Sequence, residues 1–129
     1  MKYSAEVLRR VREPQRVGAL PVDDADVGTG EAGTLDEGTV TRIQVRVSGE
    51  TVVEARFKVF GCSAAIASAS VVAEWLEGAS LDEARAVTPE RVVRVLQLVP
   101  EREHVARMAL DAAQQAIASV EGRRLKAEG

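Results

Sequence analysis

Ala55-Arg56-Phe57-Lys58-Val59-Phe60-Gly61-Cys62-Ser63-Ala64-Ala65-Ile66-Ala67-Ser68 is the stretch on which the fold turns. Its first half alternates, with Ala55, Phe57 and Val59 on one side and Arg56 and Lys58 on the other, the period of a half-buried strand. Gly61 breaks that period. After Cys62 the spacing becomes helical: Ile66, Ala69, Ala73 and Leu76 form one stripe, and Gly78 ends it. Cys62, the only cysteine in the chain, therefore stands where a strand hands over to a helix. Free N–H groups and the positive helix end at such a position favour thiolate over thiol.

Just upstream, Ile43, Val45 and Val47 alternate with Arg42, Gln44 and Arg46, and Ser48-Gly49-Glu50 supplies a turn. The two alternating runs predict an antiparallel hairpin with one wet face. Ser4 to Arg12 predicts a short helix: Ser4 caps it, Val7, Leu8 and Val11 share a stripe, and Pro14 stops it. From Pro14 to Gly38 glycines and acids dominate, which predicts a long loop, built of ordered turns or acting as a mobile arm. Downstream, Ser80-Leu81-Asp82-Glu83 has the spacing of a capping box, and Thr88-Pro89-Glu90 opens a helix to about Leu96. After Pro100 a last helix carries Val105, Met108, Ala109, Ala112, Ala116, Ile117 and Val120 at helical spacing. Residues 122–129 are polar and read as a frayed tail. A meander flanked by helices is an α+β arrangement.

The chain has 129 residues, 46% apolar and 29% charged, enough for one domain (1–129) with a single core and no disulfide or metal staple. A net charge of −3 argues against nucleic acid as a partner. No apolar run approaches a membrane span, and the opening Met1-Lys2-Tyr3-Ser4-Ala5-Glu6 lacks the apolar core of a signal peptide. A lone cysteine excludes an intrachain disulfide and fits a reducing cytoplasm. Asparagine is absent and arginine far outnumbers lysine, a composition that points toward a thermophilic or high-GC source.

Several motifs, in order along nearly the whole chain, resemble the NifU/IscU-type scaffold family, on which iron–sulfur clusters are built before transfer to clients. They are Tyr3-Ser4, Pro14 with Arg16-Val17-Gly18, and Asp26-Val27-Gly28-Thr29-Gly30. Ala55 to Cys62 with Ala65-Ile66-Ala67-Ser68, Glu74-Trp75, Gly78 and Ser80-Leu81-Asp82-Glu83-Ala84 complete the set. The resemblance implies a SufE/NifU-like α+β fold, a three-stranded antiparallel sheet with helices packed on one side. It also implies a non-enzymatic role in the cytoplasm beside a cysteine desulfurase and other iron–sulfur assembly proteins, with self-association as a further expectation.

In the family, one cysteine and a nearby aspartate precede the sheet, a second cysteine follows Phe/Tyr-Gly, and a His-Cys pair opens the last helix. Cys62 matches the second cysteine and His104 the histidine. Glu37 stands at the first cysteine position, Thr39 at the aspartate and Val105 at the third cysteine. A chaperone-recognition stretch of Leu-Pro-Pro-Val-Lys type is degraded to Leu98-Val99-Pro100-Glu101-Arg102. A cluster of the 2Fe–2S kind takes four ligands, mostly cysteine, so one chain cannot hold it conventionally. What the resemblance leaves is Cys62 as a sulfur acceptor, and Cys62, His104 and Glu37, or Asp36 in its place, as an S/N/O set for a single Zn²⁺ or Fe²⁺. The plainer readings stay open: Cys62 as inert packing, His104 as a partly buried histidine, Glu37 as a solvated loop acid, and the whole chain as a metal-free interaction or regulatory paralogue. Trp75 reads as a packing anchor, and Asp23, Asp24 and Asp26 lack the spacing of a calcium loop.

Overall fold

The alternating runs form the expected hairpin. In the computed structural model, which describes Tyr3–Glu128, β2 (Thr39–Ser48) and β3 (Thr51–Phe60) pair antiparallel from Val40↔Phe60 to Ser48↔Thr51. Met1, Lys2 and Gly129, the outer ends of the opening run and of the tail, lie outside the described residues. Gly49, at φ 61°, takes the left-handed step of the hairpin turn. The register shifts between Arg46 and Val47, so that Val53 is an extra residue on β3 and faces solvent. Ile43, Val45, Val47, Val52, Ala55 and Phe57 are buried on the inner face.

The third strand corrects one expectation. Val27–Thr34, read from sequence as part of a long loop, is β1, paired with β2 from Val27↔Arg46 to Thr34↔Thr39. The sheet order is β1-β2-β3. Two of the three glycines of β1 stand where a helix backbone lies against it. A Cβ on Gly28 would stand 2.9 Å from the Val120 nitrogen, and one on Gly30 would stand 2.7 Å from the Ala116 nitrogen.

The helices follow the predicted order and cover one face. α1 (Ala5–Arg12) is capped by Ser4, whose hydroxyl accepts from the Val7 N–H. α2 (Ser63–Leu76) is buried on nearly every side, as its alanines and serines allow. α3 (Leu81–Arg85) opens with a complete capping box of Ser80 and Glu83, and α4 is Pro89–Leu96. Pro100–Arg102 forms a 3-10 turn, and α5 spans Glu103–Glu128 along β1. Residues 122–128, expected to fray, thus continue α5. Arg123 explains this: its guanidinium donates to the carbonyls of Val22 (2.7 Å) and Asp24 (3.2 Å), tying the tail to the loop ahead of β1.

That loop crosses the outer face of the sheet. Leu20 is buried over Gln44, and the Gln44 amide closes a reciprocal pair with the Leu20 backbone at 2.8 and 2.9 Å. The aspartates after it are held by charge: Arg46 reaches Asp24, Asp26 and Glu54. Arg46 is first among the causes that hold the Asp26 carboxyl below the ordinary carboxylate range. Trp75 is half-buried with the Arg91 guanidinium 4.2 Å from its ring centre, a packing anchor closed by a cation–π contact. None of the described helices is long and apolar enough to cross a membrane.

Candidate functional site

Cys62 is the N-cap of α2, with extended backbone (φ −79°, ψ 170°), and its carbonyl accepts from the Ile66 N–H at 3.1 Å. Its side chain makes no capping hydrogen bond. No acidic residue lies in the first turn of α2, so no carboxylate there offsets the positive helix end. The thiol is half-buried, neither sealed in the core nor standing free in solvent.

Its surroundings are apolar. Ala64, Ala65 and Val105 form a small buried cluster separate from the main core, and Cys62, Tyr3, Val59, Leu98 and Met108 pack against it. Val105, at the third cysteine position of the resembling family, is fully buried. Met108, one turn further along α5, reaches over the end of β1, where its methyl group fills the space a side chain on Gly33 would need. The Arg102 guanidinium lies 5.8 Å from the centre of the Tyr3 ring. Tyr3, Leu98 and Met108 are the site residues that sequence reading missed. Met108 carried a signal in its place on the inward stripe of α5, while Tyr3 and Leu98 appeared only within motifs of the resemblance and not as site residues.

Thr39, at the family's aspartate position, does come to the site. A Cβ on Gly61 would stand 3.0 Å from its Cγ2 and 3.2 Å from its Oγ1, so Thr39 lies against the link that leads into Cys62. A hydroxyl and a methyl stand there in place of a carboxylate.

The expected S/N/O set is not assembled. Among the described residues no three His, Cys, Asp or Glu side chains are grouped as a metal ion requires. Glu37 is exposed in the β1–β2 turn, where its Oε1 accepts from the Thr34 hydroxyl at 2.9 Å and its N–H donates to the Thr34 carbonyl at 3.1 Å. Asp36 is exposed in the same turn. His104 is exposed because Val105 turns inward on α5, and adjacent helical residues point about 100° apart. The partly buried histidine of the plainer reading is thus corrected as well. One thiol among apolar neighbours can accept or donate a sulfur atom, but it cannot replace the four ligands of a cluster.

Comparison with known proteins identifies the family. Residues 2–127 match the family model of the NifU-like N terminal domain. The chain is 40% identical over 125 residues to the iron-sulfur cluster assembly scaffold protein IscU of Escherichia coli K12, covering 96% of this chain and 98% of that one. It is 38% identical over 118 residues to the IscU of Azotobacter vinelandii, covering 91% and 92%. A nitrogen-fixing NifU-like protein (N-terminal) from Brucella abortus has the same fold, with a TM-score of 0.68 at 20% identity, covering 92% of this chain and 94% of that one. Order of elements, the Gly61-Cys62 junction and identity over nearly the whole chain converge: the chain belongs to the NifU-like N-terminal domain family.

Proposed function

We propose that this chain serves iron–sulfur cluster assembly as a scaffold-fold sulfur carrier, with Cys62 accepting sulfur from a cysteine desulfurase. Its relatives in Escherichia coli and Azotobacter vinelandii, both iron-sulfur cluster assembly scaffold proteins, support the pathway. The observation that carries the residue assignment is the Cys62 side chain itself: half-buried, without a capping bond, at the N-cap of a helix with no acid in its first turn.

In the transfer the Cys62 thiolate attacks the outer sulfur of the desulfurase persulfide. The S–S bond of the donor breaks, a new one forms on Cys62, and the donor cysteine leaves as thiolate. The apolar neighbours Ala64, Ala65, Val105 and Met108 limit water beside the new persulfide. A cluster is cargo here, and this donor set does not fit one held in the usual way. A single Zn²⁺ or Fe²⁺ on Cys62 and His104 would need the turn around Glu37 to release Thr34 before a third ligand could reach it, so sulfur transfer is the better-supported reading.

The test is to incubate the protein with a cysteine desulfurase and cysteine under anaerobic conditions and to map Cys62 by mass spectrometry. The expected result is one added sulfur atom on the Cys62 peptide, removed by reductant and absent from Cys62→Ser. An unmodified Cys62, with desulfurase binding unchanged in Cys62→Ala, would instead favour a metal-free interaction paralogue. Burial of Val105 where a ligand would stand is the observation behind that second reading.

A further inference from the structure

The outer face of the sheet is divided in two. Toward the hairpin turn it is covered and its cations are paired: Leu20 sits on Gln44, and Arg46 and Arg56 pair with Asp24, Asp26, Glu54 and Glu77. Toward Cys62 it is open. A groove of about 430 Å³ runs over Val40, Val59 and Phe60, bounded by Glu31, Leu35, Arg42 and Lys58. Phe60 is 61% exposed and Leu35 69% exposed, an unusual exposure for side chains of this size side by side.

The charges of this open half are unbalanced. Arg42 and Lys58 are directly paired across β2 and β3, and like charges placed so repel. Neither forms an ion pair among the described residues, in contrast to Arg46 and Arg56 on the same face. The Arg42 Nε is shielded from solvent and has no hydrogen-bond partner there, a costly state for a charged donor. Glu31, opposite Arg42 on β1, is the single acid along this row.

The strand edge beside the groove is open as well. The outward backbone groups of β3 are met at Val52 by Gly78 and Ala79, at Ala55 by the Glu77 carboxylate, and at Phe57 by Arg16 and Gly18. The same alternation turns the N–H and C=O of Val59 outward, and among the described residues nothing bonds them. Beyond Gly18 the chain leaves the edge, because the Leu20 N–H goes to Gln44.

We infer that this half-face docks an acidic, apolar segment of a partner protein, placing it beside Cys62. Carboxylates of the segment meet Arg42 and Lys58, an apolar side chain fills the floor between Val40, Leu35 and Phe60, and its backbone pairs with Val59. A second copy of this chain fits worse, since it would bring the same two cations. Nucleic acid fits worse too, because two cations on an apolar floor in a chain of net charge −3 are a poor phosphate surface.

The test is an NMR titration of the isotope-labelled full chain with a short synthetic peptide of alternating glutamate and leucine, against its lysine-for-glutamate counterpart. The acidic peptide is expected to shift the amides of Val40, Arg42, Lys58 and Phe60. Arg42→Glu with Lys58→Glu is expected to weaken it by roughly tenfold or more, Lys58→Gln alone by severalfold. Cys62→Ala leaves binding unchanged, which keeps the outcome separate from the sulfur-transfer reading. Equal response to the basic peptide, indifference to charge reversal in a variant of native circular dichroism, or concentration-dependent shifts of these amides without peptide would each overturn the inference, the last by assigning the face to a second copy.

Discussion

Cys62 packs against the buried cluster that contains Val105, the thiol arriving from the N-cap of α2 and the valine from the first turn of α5. Thiol and valine thus stand on two sides of one small apolar cluster, and the valine side offers only methyl groups. Restoring donors should therefore restore a site. In Glu37→Cys/Thr39→Asp/Val105→Cys, loss of the Glu37 carboxylate removes the side-chain bond from the Thr34 hydroxyl, while the N–H of residue 37 still closes the turn on Thr34. The triple variant is expected to retain iron and sulfide after anaerobic reconstitution and desalting, with visible charge-transfer absorption, while the natural chain retains neither. Val105→Cys alone costs about 1 kcal/mol of stability, measurable by urea unfolding. Equal retention by the natural chain would show that the apolar filling does not decide cluster binding.

Much of this architecture is legible from residue spacing, and what is not has identifiable reasons. The alternation of Ile43, Val45 and Val47 against Ala55, Phe57 and Val59 fixes the hairpin, and the period change at Gly61 fixes the start of α2. β1 escapes because its message is written in glycines: Gly28 and Gly30 record the closeness of α5, a tertiary fact without a local period. The extension of α5 past Gly122 escapes for a similar reason, since it depends on Arg123 reaching loop carbonyls far away in sequence. At the site, the address of Cys62 is readable. The position of Glu37 is not, because a four-residue turn closing on Thr34 aims the side chain, and spacing does not report that.

Gly28 and Gly30 carry their own prediction. Each lies where a methyl group would collide with α5 backbone, near Val120 and Ala116 respectively. Backbone cannot rotate aside as a side chain can. Gly30→Ala is expected to lower stability by roughly 3 kcal/mol or more, whereas Gly122→Ala, whose Cβ meets nothing within 4 Å, should be neutral or slightly stabilising on a helix. Thermal unfolding of the two variants side by side separates them. Similar midpoints would mean that β1 and α5 are less closely packed than described.

Arg10 fastens α1 to α2. It is buried, and its guanidinium donates to Glu6 (2.8 Å), the Ser70 hydroxyl (3.1 Å) and Glu74 (3.0 Å). Arg10→Ala leaves Ser70 unpaired in the core and removes the aliphatic stem as well. A loss of about 1–3 kcal/mol is expected, concentrated locally: amide exchange should accelerate across Ala5–Arg12 while the sheet stays protected. Uniform acceleration over sheet and helix would instead make α1 part of the global unfolding unit.

Glu77 links stability to pH. Burial by itself would raise its carboxyl, but the Ala55 N–H (3.0 Å), Arg16 (3.0 Å) and Arg56 (3.2 Å) overcome that and hold it below the ordinary glutamate range. A carboxyl depressed in the folded state stabilises fully above its unfolded pKa of about 4.3. That contribution disappears as pH falls through the lower folded value. Glu77→Gln keeps an oxygen for Ala55 and loses the charge facing two guanidinium groups. It should cost roughly 1–2 kcal/mol at neutral pH. The gap between the natural chain and the variant should narrow as pH drops from about 5 toward 3, since protonation then gives the natural chain the same neutral side chain. Urea unfolding of both proteins across that range checks the sign: a gap that stays constant would show that the Glu77 charge adds nothing to the hold of α2 on β3.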